Sequence, residues 1–343
     1  MTALSILDLV RVTEGSDART ALDNARDLAA HAEACGYTRY WVAEHHNMPG
    51  IASAATSLVI SHIAAGSRRI RVGAGGIMLP NHAPIVIAEQ FGTLDCLFPG
   101  RIDLGLGRAP GTDQFTVQAL RRPPGGVDGF PQDVLEVQAY FAPVQPGQRV
   151  QAVPAAGRRV PVWILGSSTY GAVLAAELGL PYAFASHFAP QEMMRALQVY
   201  RSRFRPSSTL ERPYAMIGAN VIAAETATEA RRLATTQQMS FANLLRGARR
   251  LSQPPIEDID SYWTPQEKAQ AEHMLAVSVI GGPDQVRDGL ANLAERTGAD
   301  EVMIVCDVYD HEARRRSIAL TAAAAGLNGA PPPVVPEGAQ PIG

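Results

Sequence analysis

Short apolar runs alternate with amphipathic segments from one end of this 343-residue chain to the other. Strand-like runs fall near Leu4–Val10, Tyr37–Glu44, Ile70–Leu79, Ile102–Arg108, Val160–Gly166, Tyr182–His187, Tyr214–Ala223 and Glu301–Asp307. Their Val/Ile/Leu richness without clean alternation suits strands buried on both faces. Helical patterns lie between most of them, including Thr20–Cys35 closed by Gly36 and Gly171–Leu178 closed by Gly179, glycine being a usual stop just past a helix. Eight such strands with helices between them predict an α/β fold, a (β/α)8 TIM barrel, whose chemistry sits at the C-terminal strand ends.

Two stretches exceed a minimal barrel. Residues 121–157 carry Pro123-Pro124-Gly125-Gly126, and residues 237–274 carry Pro254-Pro255 and Tyr262-Trp263. Insertions of this length serve as lids, binding loops or disordered segments. The second is expected to be a mobile lid, in which Tyr262 and Trp263 either grip an apolar substrate or pack as a satellite cluster. One barrel domain over residues 1–327 is expected, with a loose Gly/Pro-rich tail over 328–343.

Composition narrows the function classes. A hydrophobic content of 46% supports a sizeable core, and a formal net charge of −3 gives no electrostatic reason to expect nucleic acid. No apolar run is long enough to span a bilayer, and the start lacks the marks of a secretory signal. Cys35, Cys96 and Cys306 form neither a disulfide framework nor a zinc spacing, which suits a reducing cytoplasm. Lys268 is the only lysine. A Walker-type phosphate loop is therefore absent, and no strand supplies an amine for Schiff-base chemistry.

Candidate chemistry gathers at three strand ends. The second strand runs into Glu44-His45-His46, where an imidazole at a barrel mouth can exchange protons near neutral pH; a structural histidine is the competing reading. Asp8 on the first strand brings no His-x-His with it, so a metal is the weaker idea. The third strand contains Gly73-Ala74-Gly75-Gly76, and glycine there marks either a tight corner or close approach of a ligand to the backbone. The fourth ends in Gly105-Leu106-Gly107-Arg108-Ala109-Pro110-Gly111, a poor dinucleotide fingerprint but a small-residue turn that presents Arg108. Gly166-Ser167-Ser168-Thr169-Tyr170-Gly171 joins the fifth strand to a helix. Its hydroxyls are ordinary caps or, beside Arg108, phosphate ligands.

Four runs carry a resemblance to a known family: Ala43–Asn47, Val72–Pro80, Ala88–Asp95 and Pro99–Arg108, with a weaker match from Ile280-Gly281-Gly282-Pro283 onward. The chain resembles the bacterial luciferase-like flavin monooxygenases, in particular their single-chain branch, up to about Leu327, most specifically over its first 115 residues. The resemblance implies a (β/α)8 barrel that uses reduced FMN, supplied by a separate and transient reductase, with molecular oxygen to oxygenate a small organic substrate. It also implies a homodimer. Carried over, His45 with Glu44 would serve catalysis, Gly75-Gly76 would form a non-proline cis peptide backing the flavin ring, and Ile77 would bind the cofactor beside it. Arg108, Gly166, Ser167, Ser168 and Tyr170 would hold the phosphate, with no metal. Gly107 stands where the light-emitting enzyme has a reactive cysteine, which argues against bioluminescence and a long-chain aldehyde. The alternatives are a deazaflavin-dependent dehydrogenase on the same barrel, a non-catalytic flavin-binding protein, and a phosphate-substrate isomerase with Glu44 as base.

Overall fold

The computed structural model describes residues 2–109, 113–121, 129–327 and 329. The tail beyond Leu327, apart from Gly329, and the Pro123-Pro124-Gly125-Gly126 run lie outside the described residues. Nine strands are present among them: β1 Ala3–Asp8, β2 Arg39–Val42, β3 Arg71–Met78, β4 Ile102–Gly107, β5 Val162–Gly166, β6 Tyr182–Phe184, β7 Ala215–Ala223, β8 Ser278–Gly281 and β9 Glu301–Val305. All pair in parallel, in the order β6-β5-β4-β3-β2-β1-β9-β7-β8, and a β6–β7 pairing closes the sheet. Eight strands make the closed barrel that the apolar runs predict.

β8 is the addition. It pairs only with the last four residues of β7, Asn220–Ala223, while β9 takes Met216–Asn220. The nine residues of β7 are thus long enough to serve two neighbours in succession. The expected helix stops are in place, since Gly36 and Gly179 close their helices at φ 90° and 63°, angles that cost a side chain but not glycine.

Inside the barrel the side chains form layers. At the N-terminal end Arg39, fully buried, donates to Glu301 from Nε and Nη2 at 2.8 and 3.0 Å and to Asp103 from Nη1 at 2.7 Å. Arg71 reaches Asp103 at 2.6 Å, the Trp41 indole N–H donates to it at 3.1 Å, and Tyr214 and Ser5 donate to Glu301. Burial pushes the Asp103 carboxyl up, but Arg71 and Arg39 outweigh it and hold the group below its ordinary value. Above this layer Trp41 and Trp163 meet edge to face at 5.2 Å, with the Arg39 guanidinium 4.8 Å from the Trp163 ring centre. Trp41 is part of the floor of the open C-terminal end, with Trp163 buried behind it.

Where they are described, both insertions carry regular helices. The first contains the helix Phe130–Phe141. The second begins inside the long helix Ala227–Leu245 and ends in the helix Pro265–Met274, which carries Lys268 paired with Asp260. Trp263 packs with Phe241, Ala242 and Ala271 in a separate small cluster, and Tyr262 donates to Gln253 Oε1 at 2.7 Å. Neither aromatic borders the central cavity described below. No helix among the described residues is long and apolar enough to cross a membrane.

Candidate active site

The C-terminal mouth of the barrel opens into a cavity of 1020 Å³. Leu7, Trp41, Met216, Met303 and Val305 form its apolar base, and the strand ends and the 246–251 loop form its walls. Arg249 pins that loop across the mouth, donating to the Asn47 carbonyl at 3.0 Å and to Asp113 at 2.7 Å. Ser252 adds backbone hydrogen bonds to Val12 and Glu14.

Most of the residues singled out from the sequence converge here. His45, His46, Gly75, Gly76, Arg108, Gly166, Ser167, Ser168 and Tyr170 all border the cavity. Ile77 does not; its side chain is buried in the shell between strands and helices. Glu44 is also behind the wall. Its carboxylate accepts from His46 Nε2 at 2.7 Å, from His82 Nε2 at 3.0 Å, from Asn81 Nδ2 at 3.0 Å and from the Met78 backbone N–H at 2.9 Å. Burial pushes its pKa up, but the hydrogen bonds from His82 and His46 prevail and hold it down. A carboxylate so fully engaged fixes the β2 and β3 ends and aims His46; no lone pair is left for a reacting proton.

The glycines of β3 have a packing reason that local sequence did not disclose. A Cβ at Gly75 would collide with Leu7 and Trp41, and one at Gly76 with the Gly105 carbonyl. The Gly75–Gly76 peptide is cis, and the β3–β4 register slips between Ala74 and Ile77. The result is a stretch of bare main chain facing the cavity beside the Trp41 floor.

At the end of β5, Ser168 occupies the N-cap of the helix Thr169–Leu178, yet its hydroxyl makes no capping hydrogen bond. The first N–H groups of that helix are left for another partner, where the helix dipole favours an anion. Tyr182 ties the turn down, donating to the Ser168 carbonyl at 3.1 Å. Arg108, exposed at the end of β4, stacks over Tyr170 with its guanidinium 4.0 Å from the ring centre. Three adjacent strands thus offer a bare ledge, a guanidinium and an uncapped helix start in one cavity, a set suited to a flat ring with an anionic tail.

His45 leaves β2 with its Nδ1 buried and without a hydrogen-bond partner. Burial, helped by the nearby positive Arg11, depresses its pKa to about 4, so the imidazole is neutral at physiological pH. Sequence reasoning missed a second imidazole. His187, three residues beyond β6, also borders the cavity, also has an unpartnered buried Nδ1, and is driven by burial and then by His45 to about 4. The rule that singled out His45, a histidine just past a barrel strand, applies equally to it. Arg11, Asn220 and Gln237 were missed as well, and nothing in their local sequence distinguishes them. No group of three or more His, Cys, Asp or Glu among the described residues is arranged to hold a metal ion.

A closed parallel barrel with one built mouth defines the class. Comparison with known proteins defines the family: the luciferase-like monooxygenase profile matches residues 2–301, and the chain belongs to that family. It is 52% identical over 319 residues to a luciferase-like monooxygenase of Escherichia coli K12, covering 93% of this chain and 95% of that one. It is 34% identical to the N-acetyl-S-alkylcysteine monooxygenase of Bacillus subtilis, over 76% of this chain and 79% of the relative. The crystal structure of apo-MsnO8 superposes with a TM-score of 0.85 at 34% identity, covering 96% and 99% of the two chains. Two more distant structures share the fold. The oxygenating constituent of 3,6-diketocamphane monooxygenase from Pseudomonas putida, in complex with FMN, has a TM-score of 0.70 at 17% identity over 94% and 97%. An F420-dependent secondary alcohol dehydrogenase has 0.68 at 13% over 94% and 98%.

Proposed function

We propose that this protein is a flavin-dependent monooxygenase that uses reduced FMN and molecular oxygen to oxygenate a small organic substrate. One observation carries the reading: the bare Gly75–Gly76 ledge, the Arg108–Tyr170 stack and the uncapped Ser167–Ser168 turn share one cavity with a neutral His45. Gly75 and Gly76 would back the flavin ring, and Arg108 with Gly166, Ser167, Ser168 and Tyr170 would hold the phosphate. When bound, reduced FMN supplies two electrons, so that one oxygen atom of dioxygen enters the substrate and the other leaves as water.

The protein's own part is positioning and dryness. The apolar base formed by Leu7, Met216 and Met303 and the loop clasped by Arg249 limit water around the reacting groups. His45, neutral at physiological pH, can exchange a proton through the imidazole it brings to the cavity. Glu44 acts at one remove, holding His46. Family membership supports delivery of reduced FMN by a separate, transient reductase, a homodimeric assembly and a cytoplasmic setting.

The deazaflavin dehydrogenase is the reading to beat, because its fold is shared. Supplying reduced FMN or reduced deazaflavin to the pure protein and following binding and oxygen uptake separates them. FMN-dependent oxygen uptake, enhanced by a turned-over substrate, is the expected result. Preferential binding of deazaflavin without oxygen uptake would replace the proposal. Flavin binding unaffected by His45→Ala, with no turnover of any substrate by either protein, would favour a flavin carrier.

A further inference from the structure

The side of the cavity opposite the glycine ledge is built around His187. In the closed strand order, β6 lies across the barrel from β2, so His187 and His45 approach the mouth from opposite walls. Three buried polar side chains brace the His187 segment. Ser186 donates from Oγ to the Gly218 carbonyl at 2.6 Å, and Asn220 donates from Nδ2 to the His187 carbonyl at 2.7 Å. Gln237, on the helix Ala227–Leu245, donates to Asn220 Oδ1 at 2.8 Å. All three are at most 2% exposed. Buried polar groups are retained only when their hydrogen bonds are made; here two of the bonds tie this short turn directly to β7, and the third steadies Asn220.

The ring orientation follows from packing. Nδ1 of His187 rests on the β7 backbone at Gly218, where any Cβ would overlap it. It is buried there with no partner. An orphaned buried N–H is costlier than an orphaned acceptor, so the favoured neutral tautomer carries its proton on Nε2, the nitrogen left for the cavity. Phe188 meets the imidazole edge to face at 4.8 Å and restricts its tilt. The nearby cavity base at Met216, Met303 and Val305 is apolar.

Resting on the flavin reading of the opposite wall, we infer that His187 is a substrate-contacting residue whose Nε2–H donates a hydrogen bond to a carbonyl or carboxylate oxygen of an otherwise apolar substrate. Substrates that bring an oxygen acceptor such as a ketone, ester, amide or acid to this wall are thereby favoured, and primary amines are selected against, since an ammonium has no acceptor to offer this donor. His187 sets orientation and specificity; it does not hold the flavin.

The test uses the pure full-length protein and three probes of equal chain length: 2-octanone, octanoate and octylamine. Binding is measured by calorimetry, and FMN binding separately by quenching of flavin fluorescence. The wild type is expected to bind 2-octanone or octanoate better than octylamine. His187→Phe is expected to weaken the favoured probe about tenfold, as loss of one hydrogen bond predicts, with FMN affinity unchanged. His187→Gln, which keeps a donor, should restore part of the loss and serves if the Phe variant does not fold. Equal probe affinity in the wild type and in a folded variant, preference for octylamine, or no binding of any probe by the wild type would overturn the inference. Failure of the wild type to bind FMN would instead overturn the flavin reading.

Discussion

The two ends of the barrel are built on opposite principles. At the N-terminal end Arg39, Arg71, Asp103, Glu301, Ser5, Tyr214 and the Trp41 indole form a closed set in which the buried charges of Asp103 and Glu301 are opposed and bonded. At the C-terminal end two imidazoles have buried nitrogens without partners, and a helix start lacks its cap. Unmet polar groups cost stability and persist where a ligand completes them. The closed end is thus satisfied around its buried charges, whereas the open end presents groups that a ligand could complete. Glu44 is the exception at the mouth, saturated like the closed end while it aims a cavity residue.

The contrast can be broken most forcefully at the closed end. Arg39→Met leaves Asp103 short of one cation and Glu301 without any, and should cost about 3–5 kcal/mol of stability. Denaturant unfolding would show this as a lower midpoint, while the folded fraction still binds flavin. A stability near wild type would mean that the ionic layer is not what holds the closed end. Glu44→Gln comes next. It removes the charge that both His46 and His82 donate to, with an expected loss of about 2–3 kcal/mol and altered placement of His46. Unchanged stability and an unchanged His46 environment by NMR would show that the carboxylate is not a strut.

A pH series sharpens the same comparison. His45 and His187 have folded values of about 4, below the roughly 6.5 of the unfolded chain. Between those limits the unfolded state binds more protons, so stability rises with pH there. Their contribution is complete above pH 6.5 and lost as pH falls towards 4, by at most about 1.4 kcal/mol per imidazole per pH unit. Asp103, whose value is depressed, adds its own loss only at lower pH. Replacing both histidines with Gln should flatten the slope between pH 6.5 and 4.5 in urea unfolding; an unaltered slope would show that these rings are not buried neutral. The smallest effect is expected at the satellite cluster. Tyr262→Phe removes a hydroxyl shared between Gln253 Oε1 and Asn243 Oδ1 and should cost about 1 kcal/mol, with flavin binding intact and substrate binding altered at most slightly through Asn243. A large change in substrate affinity would restore the reading of Tyr262 as a substrate grip.

Much of the open end was legible in the sequence, and almost none of the closed end. His45, Arg108 and Ser167 announce themselves because each sits just past the end of a strand, and Gly75 and Gly76 because glycines interrupt an apolar one. The barrel was legible for a related reason, since its eight runs are apolar on both faces. β8 was not, because it is four residues long, partly exposed, and pairs only with the overhang of β7. The Arg39 layer draws on residues 5, 39, 41, 71, 103, 214 and 301, a convergence that exists only once the sheet closes. Ile77 was placed at the cofactor by its neighbours, although the structure turns its side chain into the core. His187 was hidden by reading the sixth strand to its very end, whereas β6 stops at Phe184 and leaves the histidine in a braced turn.

The most direct test of the central claim compares FMN with riboflavin, which lacks the phosphate, on the wild type and on Arg108→Ala. Flavin fluorescence quenching should show FMN bound one to one and about ten- to a hundredfold more tightly than riboflavin by the wild type, the range expected for charge-assisted contacts. Arg108→Ala should erase most of that preference while leaving riboflavin affinity and folding unchanged. A folded wild type that binds neither flavin, or a preference for FMN that survives the substitution intact, would contradict the account.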